Sequence, residues 1–501
     1  MRQALHIFKK DVRHLRIEIA LGITLVATFT YIEVSRALWL MDPGTDRTTL
    51  LALVVILLPI SWWILIGRVV HDEALAGDRQ FWITRPYSWH SLLGAKVLLI
   101  LAFINLPMLI ADVLIIRAYG FSIGAELPGL IWSQILLTIV FVLPMFALSA
   151  LTAGFVPLIV AILSPCAFVF ALAIPAPRIF LGGGFIGGYG WVRDYFAFLI
   201  FTAAASLILF WQYSRRGTTL ARALAVAAGV LVVVGIILIP WTAGFRIQSW
   251  LSGTRSNLSS AHAVLDLDTK GLARAFPFRQ GEDSVGVRIP VQIVGLPDGM
   301  TARIQNLSES FEEPDGTVWK TYGYSIQNLG ETDQKFVVQT SLSGASYKKL
   351  VDESLTVHGL LYLTVFGNRQ TTMVPLENRS IPVPRIGICS SKEKNNSQNY
   401  LLICTSAFHS STALVSFHIF QTSTNTANLS WTTEPRQVNS YSPFPADPGI
   451  IPVTQDFVLS NALHPMFSIV LAPADHALVD TMEPIAHIRL DFEINNLRLS
   501  D

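Results

Sequence analysis

Residues 129–174 read GLIWSQILLTIVFVLPMFALSALTAGFVPLIVAILSPCAFVFALAI, and this stretch contains no charged side chain. A single helix over these 46 residues would be about 69 Å long, more than twice the roughly 30 Å hydrocarbon thickness of a bilayer. We therefore expect the stretch to fold back near residues 151–154 and to cross a membrane twice. The runs on either side determine how many crossings the chain makes in all.

The composition is that of a membrane protein. Apolar residues make up 51 % of the 501 residues and charged residues only 14 %, whereas soluble domains carry roughly 25 % charged residues. The mean hydropathy of +0.48 excludes a disordered chain and argues against an ordinary cytosolic enzyme. The net charge of +1 provides no basic field that would attract nucleic acid.

Apolar runs long enough to span a membrane fill the first half of the chain. They lie at residues 18–40, 49–70, 92–116, 129–149, 151–174, 194–212 and 221–241. Seven crossings place most Lys and Arg of the short connecting segments on the side of the basic N-terminus, which the positive-inside rule assigns to the cytoplasm. The sequence thus predicts a transmembrane domain over 18–242 in the inner (plasma) membrane. The first run is too long for a cleavable signal peptide.

The N-terminal segment, residues 1–17, has the pattern of an amphipathic helix. Apolar residues recur at spacings of three and four, and basic residues occupy the remaining surface. The apolar positions are Leu5, Phe8, Val12 and Leu15, and the basic positions are Lys9, Lys10, Arg13 and Arg16. We expect this helix to lie in the inner headgroup region before the first crossing.

The segment between the second and third runs, residues 71–89, mixes acids, bases and large aromatic side chains. Its most distinctive residues are Glu73, Gly77, Phe81, Trp82, Arg85, Pro86 and Ser88. A short helix here would suit a groove on a cytoplasmic partner, with the aromatic residues as anchors. An interfacial helix that only borders the membrane is the alternative.

Charged side chains within the apolar runs are the usual pointers to function, because each costs roughly 2.5–3.5 kcal/mol at mid-membrane on insertion scales. Glu33 and Arg36 lie three residues apart on one helix face and can pair. Asp112 and Arg117 lie toward the outer end of the third run. We interpret both sets as structural ion pairs rather than substrate contacts. The Gly-rich, aromatic segment 181–191 is either re-entrant or an interfacial loop.

Residues 243–501 alternate short β-rich runs with turn signals, which predicts an all-β extracytoplasmic region of one or two antiparallel sandwiches. The predicted strands cover 287–294, 317–326, 335–340, 356–365, 371–375, 413–420, 466–471 and 485–494. Turns are expected at 297–299, 314–316, 367–368 and 447–449. A junction near 378–385 would separate two sandwiches.

The chain has three cysteines. Cys389 and Cys404 flank a polar segment with apolar residues just outside each, a spacing typical of a hairpin. In an oxidising compartment they would form a disulfide, and two buried free thiols are the alternative. Cys166 lies within an apolar run and is interpreted as a packing residue.

The sequence contains no nucleotide-binding or metal-binding motif: it has no P-loop, His-Glu-x-x-His or Cys-x-x-Cys, and its histidines are scattered. Residues 120–124 have the spacing Gly-x-Ser-x-Gly, but they lie between two predicted membrane runs rather than between a strand and a helix, which is the context that this motif needs. We therefore expect no enzymatic activity, cofactor or metal on this chain.

Two predicted cytoplasmic elements resemble the ABC-2 type transporter permeases. The similarity lies in the basic entry at residues 9–16, in Glu73, Gly77 and residues 86–88, and in residues 92–96 that open the third run. It extends over roughly residues 1–240 and implies that residues 73–88 form a coupling helix on a separate subunit that binds ATP and Mg²⁺. It also implies a second permease copy or a sister permease. Six helices are commoner in that family than the seven predicted, and the β region is not a standard part of it.

These sequence features lead to three hypotheses for the function. The first is the transmembrane permease of an ATP-driven exporter, whose membrane runs contain few charges and so favour lipid-like or amphipathic cargo over ions. The second is an extracytoplasmic β-sandwich binding module on a membrane anchor. The third is a membrane enzyme with a site assembled from Glu33, Asp112 and outer-loop residues. Seven crossings are more than an anchor needs, which favours the permease.

Overall fold

The chain folds as a helical region followed by a β-rich region. A computed structural model describes residues 2–39, 45–72, 88–173, 191–215, 217–252, 261–265, 273–277, 284–320, 324–328, 335–351, 353–376, 379–393, 400–408, 412–420, 431–432, 436–438, 453–459 and 476–500.

The helices, numbered in chain order, lie mostly in the first half. They are α1 (Arg2–His14), α2 (Arg16–Trp39), α3 (Thr45–His71), α4 (Trp89–Ile100), α5 (Leu106–Ala118), α6 (Ile123–Leu136), α7 (Leu143–Leu151), α8 (Phe155–Ala173), α9 (Trp191–Arg215), α10 (Thr218–Leu238), α11 (Trp241–Ser252) and α12 (Gly344–Leu350).

Two π-helical segments join four of these helices into two longer ones. Leu101–Asn105 joins α4 to α5, and Leu137–Val142 joins α6 to α7. In each case a proline follows at the start of the next helix, Pro107 in one and Pro144 in the other. Because proline lacks an N–H and its ring crowds the preceding turn, a wider turn before it lets the helix continue.

Six helices within the described residues are long and apolar enough to cross a membrane. They are Arg16–Ala37, Thr49–His71, Trp89–Ala118, Ile123–Leu151, Trp191–Arg215 and Thr218–Leu238. Residues 152–154, where the fold-back is predicted, are not helical. The seventh predicted crossing, 151–174, falls on α8, whose described side chains form only a shorter apolar helix, Phe155–Ser164.

One apolar core joins α1–α5, α7, α9 and α10. Large apolar side chains also cover the outside of these helices, such as Leu199 with 70 % of its surface exposed, as is typical of a surface that faces lipid. Helix α1 packs through a face centred on Ile7, Asp11 and Leu15. The apolar face predicted to include Leu5 is thus rotated, because Leu5 is exposed.

The strands begin after α11. They are β1 (His262–Leu265), β2 (Ala273–Pro277), β3 (Ser284–Val294), β4 (Thr301–Glu312), β5 (Val318–Lys320), β6 (Tyr324–Asn328), β7 (Lys335–Ser343), β8 (Leu355–Pro375), β9 (Ile381–Val383), β10 (Gly387–Glu393), β11 (Tyr400–Ser406), β12 (Ala413–Phe420), β13 (Trp431–Thr432), β14 (Arg436–Val438), β15 (Val453–Leu459), β16 (His476–Leu497) and β17 (Leu499–Ser500).

These strands form three sheets. The first has the order β17-β2-β3-β7-β6 with β1 paired to β3, the second β15-β11-β10-β9, and the third β13-β12-β16-β8-β4-β5 with β14 paired to β12. The described pairs are antiparallel, apart from the parallel pair of β17 and β2. The third sheet packs on the first through residues such as Val287 and Leu361, and on the second through residues such as Cys389 and Val479.

The predicted turn at 367–368 is wrong. Strand β8 runs through it and joins the two strands predicted at 356–365 and 371–375. Asn368 adopts a positive φ of 52°, and the pairing with β16 shifts register between Thr481 and Glu483. Gly367 still pairs with Glu483 and Gln370 with Thr481, so Asn368 and Arg369 together oppose Met482 and form a β-bulge, in which Asn368 has the left-handed backbone that a tight turn would also use. The predicted strand at 466–471 lies outside the described residues.

Candidate functional site

The helix over residues 89–118, composed of α4, a π segment and α5, makes polar contacts along its length. It begins at Ser88, whose hydroxyl accepts a hydrogen bond from the Ser91 amide at 3.3 Å and caps the helix. Ser88 is the last residue of the predicted partner-binding segment. The other members of that set, Glu73, Gly77, Phe81, Trp82, Arg85 and Pro86, lie outside the described residues.

A buried ion pair joins this helix to α1. Lys96 Nζ lies 2.8 Å from Asp11 Oδ2, and their side chains are only 1 % and 4 % exposed. The rings of Phe8 and Phe103 stack beside them, with centroids 6.1 Å apart. Removing one partner of a buried ion pair typically costs about 3–5 kcal/mol, because the other charge is left uncompensated. Loss of either partner would thus leave an uncompensated charge inside the contact between α1 and α4.

Further polar contacts gather the neighbouring helix ends around this pair, and we call this end of the bundle the α1 end. They join Glu18 to Arg68, His14 to Asp72, His71 to Thr152 and to the Ser149 carbonyl, and Arg222 to the Leu151 carbonyl, at distances of 3.1–3.4 Å. The starts of α2 and α10 and the C-terminal ends of α3 and α7 thus lie on the same side as α1.

Four polar side chains connect the middle of the 89–118 helix to the 123–151 helix. Gln134 Nε2 donates to Asp112 Oδ2 at 3.0 Å, and Asn105 Nδ2 donates to Thr138 Oγ1 at 2.9 Å. Asn105 and Thr138 belong to the two π segments. Asp112 is buried, and its partner here is Gln134, so the interpretation that it belongs to an ion pair with Arg117 near the interface is corrected.

Glu33 lies near the other end of the 89–118 helix. Its carboxylate accepts from Arg36 Nη1 at 3.0 Å, the pairing that the sequence indicates, and only 2 % of the residue is exposed. Tyr119 hydrogen-bonds to Glu33, and burial together with the Glu33 charge raises the pKa of Tyr119 to about 12. Glu33 and Asp112 therefore have separate partners, and the described contacts do not join them in one site.

The β region packs against the bundle at this opposite end. Phe408, just after β11, is buried with Ala407 against Ile116 and Leu130. A Cβ atom at Gly129 would overlap the ring of Phe408. Only glycine therefore allows this approach, and the ring acts as a wedge against the 123–151 helix.

A disulfide lies close to this wedge. Cys389 and Cys404 face each other in the β10–β11 pair and are bonded and fully buried. Ile388, one residue away, lies 3.9 Å from the Cβ position of Gly120. The disulfide thus holds together the two strands that carry the contacts with the helices.

Among the residues described, no group of three His, Cys, Asp or Glu side chains could hold a metal ion. The contacts instead give the 89–118 helix a mechanical connection from the α1 end to the β region. The arrangement suits transmission of movement between two ends of a helical bundle.

Sequence reasoning missed most of these contacts. Asp11 and Lys96 are 85 residues apart, although Asp11 stands four residues from both Ile7 and Leu15 and so belongs to the helix face that packs. Asn105, Gln134 and Thr138 are uncharged, so a search for charged side chains within the apolar runs does not find them. Polar side chains within apolar runs were the available signal.

No protein-family model and no curated protein matches the chain.

Proposed function

We propose that the chain is the membrane-spanning permease of an ATP-driven exporter of the ABC-2 type, with ATP hydrolysed by a separate subunit. The observation that carries the proposal is the buried Asp11–Lys96 pair. It links α1 to the helix that begins immediately after the segment 73–87. A partner that pushes on this segment would move α1 and the 89–118 helix together, which is the property required of a coupling element.

The same helix offers a route for this movement across the membrane. Its middle is bonded to the 123–151 helix through Asp112 and Asn105, and Ile116 near its end meets the Phe408 wedge. Partner binding would shift the population between two arrangements of these helices. A β module on a passive anchor would need neither the wedge nor the polar connections. A second permease copy or a sister permease would complete the pathway.

In this proposal α8 makes a seventh crossing, and the β region lies outside the cytoplasm. Support comes from the ends of the bundle at which the residues before and after α8 make their contacts. Leu151 lies at the α1 end, where its carbonyl accepts from Arg222. Arg193 donates to the Ile239 carbonyl at 2.6 Å, close to contacts with the β region. These contacts at different ends support a change of ends between 151 and 193, and the 19 residues of α8 would span about 28 Å.

We also propose that the β region is built of two sandwiches that share the third sheet. The two β cores support this division, because each combines that sheet with a different partner sheet. Strands β8 and β16 contribute to both cores, so the two sandwiches would move as one body.

The test is affinity purification of the tagged chain from its native membrane in mild detergent, with ATPase activity measured on the eluate. We expect an ATP-binding subunit to co-purify and to be lost when Phe81 and Trp82 are both replaced by Ala. Leu199→Ala, a change at a lipid-facing position, is the matched control and should retain the subunit. A folded wild-type chain that recruits no ATPase would overturn the proposal.

A further inference from the structure

Helix α11 begins where the last span ends. The span Thr218–Leu238 is followed by the extended residue Ile239 and by Pro240, and α11 starts at Trp241. Proline cannot continue the hydrogen bonding of the preceding helix, so the chain turns here. Only two residues separate the span from α11, which places the start of α11 at the edge of the hydrocarbon core.

One face of α11 is fixed to the β region. Phe245 is buried, and its ring centroid lies 5.2 Å from that of Tyr362 on β8 and 5.7 Å from that of His487 on β16. Trp241 packs against Tyr362 at 4.9 Å. Ser249 Oγ donates to the His487 carbonyl at 2.9 Å. These contacts set the rotation of α11 and therefore decide which residues point away from the sheet.

The other face is apolar and exposed. Trp250 is 79 % exposed, Leu251 55 % and Ile247 40 %. Arg246 is exposed beside them. The four residues lie at spacings of one, three and four and thus share one helix face. Within the described residues, no part of the chain covers this face.

We propose that this exposed face of α11 inserts into the lipid headgroup region of the leaflet on the β-region side. Its composition is that of an interfacial helix, with apolar residues for the acyl boundary, a tryptophan for the interface and an arginine for lipid phosphate. Its position directly after a span brings it to that depth. A soluble protein partner would not need the face to lie at the membrane edge.

The consequence is that the long strands β8 and β16 are held against the bilayer surface. The lipid contact and the sheet contact lie on opposite faces of one helix of 12 residues, so the helix connects them directly. This inference concerns the contact with lipid and stands independently of the exporter function.

The test measures the depth of α11 in the full chain reconstituted in phosphatidylcholine–phosphatidylglycerol nanodiscs. Cysteine is introduced by Trp250→Cys or, separately, Ile247→Cys in a Cys166→Ser background and labelled with the environment-sensitive dye NBD. We expect a blue-shifted emission and a loss of emission when the nanodiscs contain lipid spin-labelled near the headgroup. Val318→Cys, on an exposed apolar residue of β5, is the matched control and should show neither.

Two results would overturn the proposal. Emission typical of water at both α11 positions would mean that the face is solvated. Blue-shifted emission that spin-labelled lipid does not quench would mean that protein covers the face. Each labelled variant must keep the elution volume of the parent chain, and the use of two α11 positions ensures that one perturbed variant does not decide the outcome.

Discussion

The Asp11–Lys96 pair gives a first prediction at the scale of single residues. Lys96→Met leaves the Asp11 carboxylate buried without its cation, and we expect a loss of about 3–5 kcal/mol in the free energy of unfolding. Thermal unfolding in detergent measures the effect. Replacing both residues, as Asp11→Leu with Lys96→Met, should recover most of the loss, because no charge then remains buried.

Lys10→Met is the control for this experiment, since Lys10 is an exposed lysine on α1, the helix that carries Asp11. We expect it to change stability by less than about 0.5 kcal/mol. If Lys96→Met were as mild as Lys10→Met, the Asp11 carboxylate would not depend on Lys96 for its compensation.

Gly129 gives a second prediction. In Gly129→Leu the new side chain would occupy the space of the Phe408 ring, and overpacking of this kind costs about 1–3 kcal/mol. We expect the Phe408 wedge to leave the helices, which hydrogen exchange of the amides around residues 404–408 would detect as faster exchange. Gly124→Leu, on the same helix with open space at its Cβ position, should leave exchange unchanged. Equal exchange in the two variants would contradict the wedge.

Local spacing explains which contacts could be predicted from the sequence. Glu33 and Arg36 are three residues apart, so helix geometry alone brings them together. The pairing of Cys389 with Cys404 follows from a short hairpin in the same way. Asp11 and Lys96 required knowledge of how two distant helices pack, which no local pattern contains. The predicted pairing of Asp112 with Arg117 was wrong for the same reason, because the partner of Asp112, Gln134, belongs to the next span.

At the scale of elements, the contact between α11 and β16 predicts a pH dependence. Burial lowers the pKa of His487 from 6.5 to about 4. Between these two values the unfolded chain binds the proton and the folded chain does not, so stability falls as the pH is lowered from 6.5 to about 4. This difference corresponds to about 3 kcal/mol, which is fully present only above pH 6.5 and is absent below about pH 4.

Unfolding of the reconstituted chain by denaturant at a series of pH values measures this effect. His487→Gln has no titrating ring and should flatten the profile in that window. A profile that keeps its slope in His487→Gln would assign the dependence to other groups.

Helix α11 and the unbroken strand β8 are two elements that the sequence pattern does not predict. Residues 241–252 combine aromatic, polar and small side chains over only three turns, and most of them belong to the predicted β region that begins at residue 243. The Gly-Asn pair at 367–368 is typical of a hairpin turn, yet the same backbone also suits a bulge in a long strand. Only the partner strand β16, more than 100 residues later, distinguishes the two.

At the scale of the whole molecule, the long apolar runs determine most of what the sequence could predict. Six of the seven predicted runs correspond to helices able to span a membrane, because hydrocarbon imposes a length and a composition on any spanning helix. The arrangement of three sheets around two cores could not be read in advance. It depends on pairs of strands such as β4 and β8, which are separated along the chain and whose sequences do not show that they are neighbours in one sheet.

The number of crossings gives the last prediction. Seven crossings place α1 and the β region on opposite sides of the membrane, whereas six would place them on the same side. We expect a membrane-impermeant maleimide to label Val318→Cys in intact cells or spheroplasts and to label Lys10→Cys only after permeabilisation, both in a Cys166→Ser background. The reason is the proposed crossing by α8, which the contacts of Leu151 and Arg193 at different ends of the bundle support. Labelling of both positions from the same side would contradict a seventh crossing by α8, and labelling of both only after permeabilisation would also place the β region in the cytoplasm.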